Sequence, residues 1–347
     1  MMKDILENLM IEKIAQNFIR APHQRNRTHE ADAELLDIGE KNDKYLAVTT
    51  DALVEEVESE LYDDPFLIGW MLAMANFSDL AAVGAEPLGL LVTMSFPTTQ
   101  DESFIAKLTE GISAACQRLN TFVLGGDTNQ GQKLFLSGCA VGLVPKKSTM
   151  TRIGAQPKDK LYLTGPAGLG NIFAFLKLFG KDNRLRESFY QPVARTDEAM
   201  VVREFASCCM DTSDGVFHTL DSLMRLNRCG FVLSNDWDRV LHPVAKQVCR
   251  AQRIPPWLVL AAVHGEFELC FSVRATEERK FLEESAKTGW KPVLIGEATA
   301  ETGIRIKTPD RVIPIDTARV RNLAHTFGSD PERYIKELFS IARMAGI

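Results

Sequence analysis

Apolar residues Ile5, Leu9, Met10, Ile14 and Phe18 recur at helical spacing among the charges Lys3, Asp4, Glu7, Glu12 and Lys13, which predicts an amphipathic first helix. Residues 24–42 are polar and predict a surface loop. A strand over 45–50 then runs into Asp51. Asp64-Pro65 reads as a helix start, a cap followed by proline in the first turn, and that helix runs over 66–83 to Gly84. A strand over 88–96, a helix over 102–119, a short strand over 122–124 and a long strand over 134–144 follow. The first domain therefore reads β-α-β-α-β-β and ends near Pro145, and residues 146–159 form a basic, polar linker.

The second half opens with a strand over 161–164 and the run Gly165-Pro166-Ala167-Gly168, then a helix, a loop over 180–191 and a helix from Thr196 to about Ala206. Asp211-Thr212-Ser213-Asp214-Gly215 opens another helix that ends near Gly230. Strands over 231–234, 267–273, 293–298 and 304–307 complete the layer, and an amphipathic helix from Phe327 onward closes the chain. The pattern predicts an α/β (α+β) protein of two domains, residues 1–146 and 147–327, with a helical tail over 328–347.

Composition changes this picture little. The 347 residues carry a net charge of −6, so no basic field argues for nucleic acid or a membrane surface. Seven cysteines without metal-ligand spacing fit buried thiols in a reducing compartment. The first helix is too charged for a signal peptide, and the longest uncharged run, 65–78, is short for a bilayer. The expectation is a cytoplasmic protein.

The chemistry concentrates at the ends of elements. Residues 121–131 read as a buried strand ending in Gly125, Gly126, Asp127 and Thr128, with Gly131 closing a turn. Glycines there bring backbone N–H groups close to a phosphate, and an Asp in the same turn would repel that phosphate unless a cation lay between them. A hairpin in which Asp127 merely stabilises the turn is the plain alternative. Asp51 ends a strand, where turn residues are common. Asp79 is the only charge in an otherwise uncharged helix of small residues, and a lone charge there must reach water, a partner or a metal. Asp211 and Asp214 stand with Ser213 at a helix start, and one residue would suffice as a cap. Together these aspartates suggest two or more Mg²⁺ ions clamping a nucleoside triphosphate. No GxxxxGK[ST] loop and no protein-kinase motif set is present.

The runs Thr50-Asp51-Ala52-Leu53-Val54, Asn76–Pro87, Gly125-Gly126-Asp127-Thr128 and Asp211-Thr212-Ser213-Asp214-Gly215 resemble thiamine-monophosphate kinase, of the superfamily of aminoimidazole ribonucleotide (AIR) synthetase and selenophosphate synthetase. The likeness covers roughly residues 3–327. It implies two α/β domains, a homodimer paired through the N-terminal sheets, and ATP over a Mg²⁺ cluster in a cleft between N-terminal domains. It implies metal ligands at Asp51, Asp79, Asp127, Asp211 and Asp214, of which Asp127, Asp211 and Asp214 are also the catalytic set. Nucleotide contacts fall at Gly125, Gly126, Arg152 and Ser213. The acceptor would be a phosphorylated small molecule whose oxygen is already anionic, so no general base is required.

The sequence also departs from the family. Its Gly-Ile-Gly-Asp-Asp is aligned with Asp37-Ile38-Gly39-Glu40-Lys41, which puts Lys41 where a metal-binding Asp is expected. The family's Val-His-Phe becomes Val57-Glu58-Ser59, and its Gly-Gly-Glu-Asp-Tyr-Glu-Leu becomes Val263–Leu269. Glu58 and Glu266 are the candidate substrate-side residues. An aromatic residue expected near the end of the second domain aligns near Arg321. The alternatives are another ATP-using member of the superfamily with a different acceptor, or a nucleotide-binding relative without turnover; Lys41 argues for the latter and the intact Asp211–Gly215 run against it.

Overall fold

The structure, a computed structural model, describes residues 2–39, 41–180, 190–328 and 330–345. Most of the loop expected over 180–191, and Glu40, lie outside the described residues. In chain order the elements are α1 (Leu6–Ala15), β1 (Glu34–Asp37), β2 (Lys44–Ala52), α2 (Glu55–Glu58), α3 (Pro65–Ala82), β3 (Glu86–Pro97), α4 (Glu102–Arg118), β4 (Val123–Gly131) and β5 (Phe135–Pro145). They continue with β6 (Lys160–Leu163), α5 (Leu169–Phe179), α6 (Thr196–Val202), β7 (Ala206–Asp211), α7 (Val216–Asn227), β8 (Gly230–Ser234), α8 (Trp237–Val240), α9 (Pro243–Gln252) and α10 (Leu258–Ala261). Then come β9 (Leu269–Val273), α11 (Glu278–Lys287), β10 (Val293–Thr299), β11 (Ile304–Lys307), β12 (Val312–Ile315), α12 (Thr317–Phe327) and α13 (Pro331–Ala345).

The strands sort into two sheets in the order β1-β2-β5-β3-β4 and β12-β11-β8-β10-β6-β9-β7. This is the mixed α/β architecture expected. Pairing is antiparallel except for β3 with β4 and β8 with β11. Two features of the first sheet escaped the sequence pattern. β1 lies in the stretch read as loop, because only Leu35 of its four residues is fully buried and the hydrophobic signal is correspondingly thin. The Gly125-Gly126-Asp127 run is strand rather than turn: β4 continues to Gly131, paired in parallel with β3. Gly126 makes that pairing possible, since a Cβ there would stand 2.0 Å from the Val92 carbonyl oxygen.

Helix α3 ties the two halves together. The Asp64 carboxylate caps it by accepting from the Phe66 N–H at 3.0 Å, and Pro65 fills its first turn. It is apolar nearly all round, as a helix packed on every side must be. Leu72, Met74 and Phe77 are fully buried against the first sheet, each contributing about 1.5–3 kcal/mol of hydrophobic stabilisation. At its far end Ala81 and Ala82 join Val202, Cys209, Leu269 and Phe271 from the second half. Long and apolar enough to span a membrane, α3 is instead mostly buried within the protein. The helix expected from Phe327 onward is α13, preceded by a helix the pattern did not give, α12, and Leu338 and Ile341 of α13 are buried in the core of the second half.

Candidate functional site

Asp79 and Asp211 meet because α3 crosses to the second sheet at the end of β7. Ser78, the residue before Asp79, donates its hydroxyl to Asp211 Oδ2 at 2.6 Å, joining the two halves by a buried hydrogen bond. Ser213 donates to the other oxygen, Oδ1, at 3.0 Å. Asp79 accepts from the Thr49 hydroxyl of β2 at 2.5 Å. Asp51, on the same strand, is held through its backbone, whose N–H donates to Asn76 Oδ1 of α3 at 3.0 Å. The third acid at the centre is Asp32, just ahead of β1. Asp32, Asp79 and Asp211 each bring a carboxylate oxygen within 4.8 Å of the other two.

Crowding these acids raises their proton affinity. Burial and the neighbouring Asp51, Asp211 and Asp32 push the Asp79 carboxyl well above the carboxylate range. Asp51 is raised by burial in the same way, partly offset by its hydrogen bond with Asp79. Burial and the charge of Asp32 push Asp211 up to about 7. Asp32 is gripped by Arg152, whose Nη2 and Nε donate to its two oxygens at 2.9 and 3.2 Å. Arg152 is itself mostly buried; burial opposes its charge, and Asp32 more than compensates. The donor set is all oxygen, and the buried Thr212 hydroxyl beside Asp211 has no hydrogen-bond partner among the described residues. That chemistry suits a hard divalent cation with phosphate oxygens completing its shell.

Asp214 lies half-exposed one helical turn from His218, whose Nε2 is 3.6 Å from its carboxylate. His218 also lies 3.9 Å from Glu7 of α1, and burial together with Arg321 lowers its pKa to about 3. Gly265 seals the back of the Asp211–Gly215 loop: its N–H donates to the Ser213 carbonyl at 2.7 Å, and a Cβ there would stand 1.6 Å from the Thr212 oxygen.

Asp127 is not among these acids. Across the first sheet, Asp51 pairs with Gly138, Gly138 with Val92 and Val92 with Gly126, so Asp127 is three strands away, about 14 Å at the usual strand spacing. It is exposed on the edge strand with Gly125 and Gly126, and its carboxylate accepts from Asn129 at 2.6 Å. Phe122, Val123 and Leu124 beside it are also exposed.

Glu58 and Glu266, the expected substrate-side residues, lie in different settings. Glu58 is exposed and ion-paired with Lys133 at 3.0 Å. Glu266 is buried and accepts from the Gly168 and Gly170 N–H groups at 2.5 and 2.8 Å, capping α5; burial pushes it up to about 7. Lys41 is exposed in the β1–β2 turn; Asp37, in the same motif, is held below the usual carboxylate range by Lys146 and Arg25. Asp32, an acid that the sequence motifs did not single out, is the one that joins Asp79 and Asp211. Its signal was its place immediately before an Ala-Glu-Leu-Leu strand, which an alignment anchored on Gly39 passes over.

A model of the AIR synthase related protein N-terminal domain matches residues 30–144. The thiamine-monophosphate kinase of Escherichia coli strain K12 is 30% identical over 250 residues, covering 70% of this chain and 74% of that protein. Among solved structures, AaThiL complexed with AMPPCP and TMP has a TM-score of 0.73 at 20% identity, covering 90% of this chain and 99% of that one. Escherichia coli HypE, a hydrogenase maturation protein, has a TM-score of 0.63 at 19% identity, covering 88% and 94%. These structural likenesses carry the fold, the two-sheet AIR synthetase-like architecture.

Proposed function

The chain belongs to the thiamine-monophosphate kinase family, and from that premise we propose that it transfers the γ-phosphoryl group of ATP to the phosphate of thiamine monophosphate or of a related phosphorylated small molecule. The observation that carries this reading is the meeting of Asp32, Asp79 and Asp211, drawn from both halves of the chain, at one point. Mg²⁺ is the cation we assign there, held by these acids with Asp51 and Asp214 beside them. When bound, it would neutralise phosphate oxygens and lower the repulsion between two anionic reactants.

The protein's own groups have separable tasks. The Ser78 and Ser213 hydroxyls fix the orientation of Asp211, and Thr49 fixes Asp79. Arg152 positions Asp32 and keeps a positive charge beside the acids; with Ser213 it would face the nucleotide phosphates. The acceptor oxygen is an anion, so alignment and charge screening are what the residues must supply, and no side chain has to remove a proton.

Asp127, Gly125 and Gly126 fit the same reading in a homodimer. The exposed edge strand β4 and its apolar neighbours would pack against a second copy, and Asp127 would complete the site of that copy. A cytoplasmic, small-molecule enzyme follows from this reading.

The test is conversion of thiamine monophosphate to the diphosphate with ATP and Mg²⁺, followed by chromatography, in wild type and Asp211→Asn. Product that needs both Mg²⁺ and Asp211 supports the kinase. Saturable Mg²⁺-dependent ATP binding without product would reject this acceptor, and ATP binding indifferent to Mg²⁺ and to Asp211 would reject the metal site.

A further inference from the structure

Beside Asp214 two arginines, Arg321 and Arg225, converge on one buried carboxylate, Asp221. Arg321 of α12 is almost wholly enclosed, its side chain 4% exposed. Its Nη1 donates to Asp221 at 3.1 Å and to Ser222 at 3.2 Å. Asp221, however, is already served by Arg225 Nε at 2.6 Å and by the Thr317 hydroxyl at 2.6 Å. Two guanidinium groups thus share one buried carboxylate. A second carboxylate, Glu7, places its Oε2 3.3 Å from Arg321 Nη2, with the Asn8 amide oxygen at 3.2 Å. Arg321 Nε is buried without a hydrogen-bond partner among the described residues.

Glu7 is weakly held for so central a counter-charge. Its side chain is 43% exposed, and it belongs to α1, none of whose residues is buried. Contacts along that helix are polar and peripheral: the Leu6 N–H donates to Asn322 Oδ1 at 3.0 Å, and Glu12 stands 3.9 Å from His29. Yet Glu7 reaches His218, the neighbour of Asp214. Its Oε2 and Asp214 Oδ2 flank the same nitrogen, His218 Nε2. A carboxylate that bridges a buried guanidinium and an imidazole at the rim of the acid cluster stands where a phosphate monoester could stand, with oxygens for Arg321 and His218.

We propose that Arg321 and His218 form an anion subsite for the phosphate of the acceptor, and that Glu7 is the displaceable carboxylate that closes it. The subsite rests on the kinase reading for the identity of its ligand, but its chemistry is that of a phosphate monoester or free phosphate in either case. Binding exchanges one anion for another at Arg321: the Glu7 side chain turns to solvent, Nη2 takes a phosphate oxygen, and Nε gains its first partner.

The probe is inorganic phosphate, titrated calorimetrically into the full-length protein with chelator present, so that phosphate cannot gather on a cation at the acid cluster. Glu7→Gln keeps the shape and removes the competing charge; phosphate should bind it about fivefold more tightly than wild type, the upper end of what a solvent-accessible ion pair is worth. Adding Arg321→Lys to Glu7→Gln should erase that gain. Phosphate affinity unchanged or weakened in Glu7→Gln overturns the subsite, and because Glu7 is on the surface this arm does not depend on Arg321→Lys folding. Turnover is not needed for the readout. A wild type that converts thiamine monophosphate alongside an unresponsive Glu7→Gln would sink the subsite alone, whereas a responsive Glu7→Gln in a protein without turnover would keep the subsite and reject the acceptor.

Discussion

Arg152 grips Asp32 at two points, Nη2 to Oδ1 at 2.9 Å and Nε to Oδ2 at 3.2 Å, and the Asp32 carboxylate is 1% exposed. The pair gives a buried carboxylate at the centre of the cluster its counter-charge, and burying such a group without a partner is costly. Arg152→Gln removes both contacts and should cost about 3 kcal/mol in urea unfolding with chelator present, with Mg²⁺ restoring part of it. Arg152→Lys keeps the charge but not the fork, and should cost about 1 kcal/mol.

Proton affinity gives the metal-free protein an unusual pH profile. Asp211 titrates at about 7 in the folded chain, above its ordinary value, so the folded state binds the proton more tightly. The stabilisation is complete below the unfolded carboxylate pKa, near ~4, and is lost as pH rises through about 7. With chelator present, Tm should fall on the order of 5 °C between pH 5.5 and 8.5. Mg²⁺ should recover most of the loss at the higher pH, and Asp211→Asn should flatten the profile.

Two acids that sequence alignment placed near the substrate should behave as structural and peripheral residues. Glu266→Gln loses one of the two acceptors for the Gly168 and Gly170 N–H groups and should lower stability by about 1–2 kcal/mol, with the acceptor KM unchanged once folded. Glu58→Ala removes only an exposed pair with Lys133 and should shift stability by less than about 0.5 kcal/mol. A large rise in KM for either variant would return that residue to the substrate site.

Asp127 gives the sharpest test of a shared site. Asp127→Asn and Asp211→Asn should each be inactive, because each spoils every site of a homodimer. Mixed in equal amounts and allowed to exchange, they should regain roughly a quarter of wild-type activity, the share of intact sites under random pairing. No recovery on mixing would place Asp127 outside a shared site.

Long elements were legible in the sequence because their signals are local. The Asp64-Pro65 start and the largely apolar run of α3 fix that helix within a residue, and Asp51, Asp79 and Asp211 announce themselves as acids in apolar company. What stayed hidden depends on contacts between distant residues. β4 is an exposed edge strand whose Gly-Gly-Asp run looks like a turn until β3 is paired with it. Asp32 sits in a polar stretch where one more carboxylate is unremarked, and only folding brings it to Asp79 and Asp211. Glu266 looks free in sequence, and its partners lie almost a hundred residues earlier, at the start of α5.

The hydrogen bond from Ser78 to Asp211 crosses from one half of the chain to the other at the spot where the acids converge. A cation bound there would therefore act as a removable cross-link, fastening the two halves when loaded and releasing them when stripped. Cofactor supply would then govern how long the protein resists proteases as well as how fast it turns over. Digestion that quickens on chelation, with the first cuts between the two sheets, would be the visible sign.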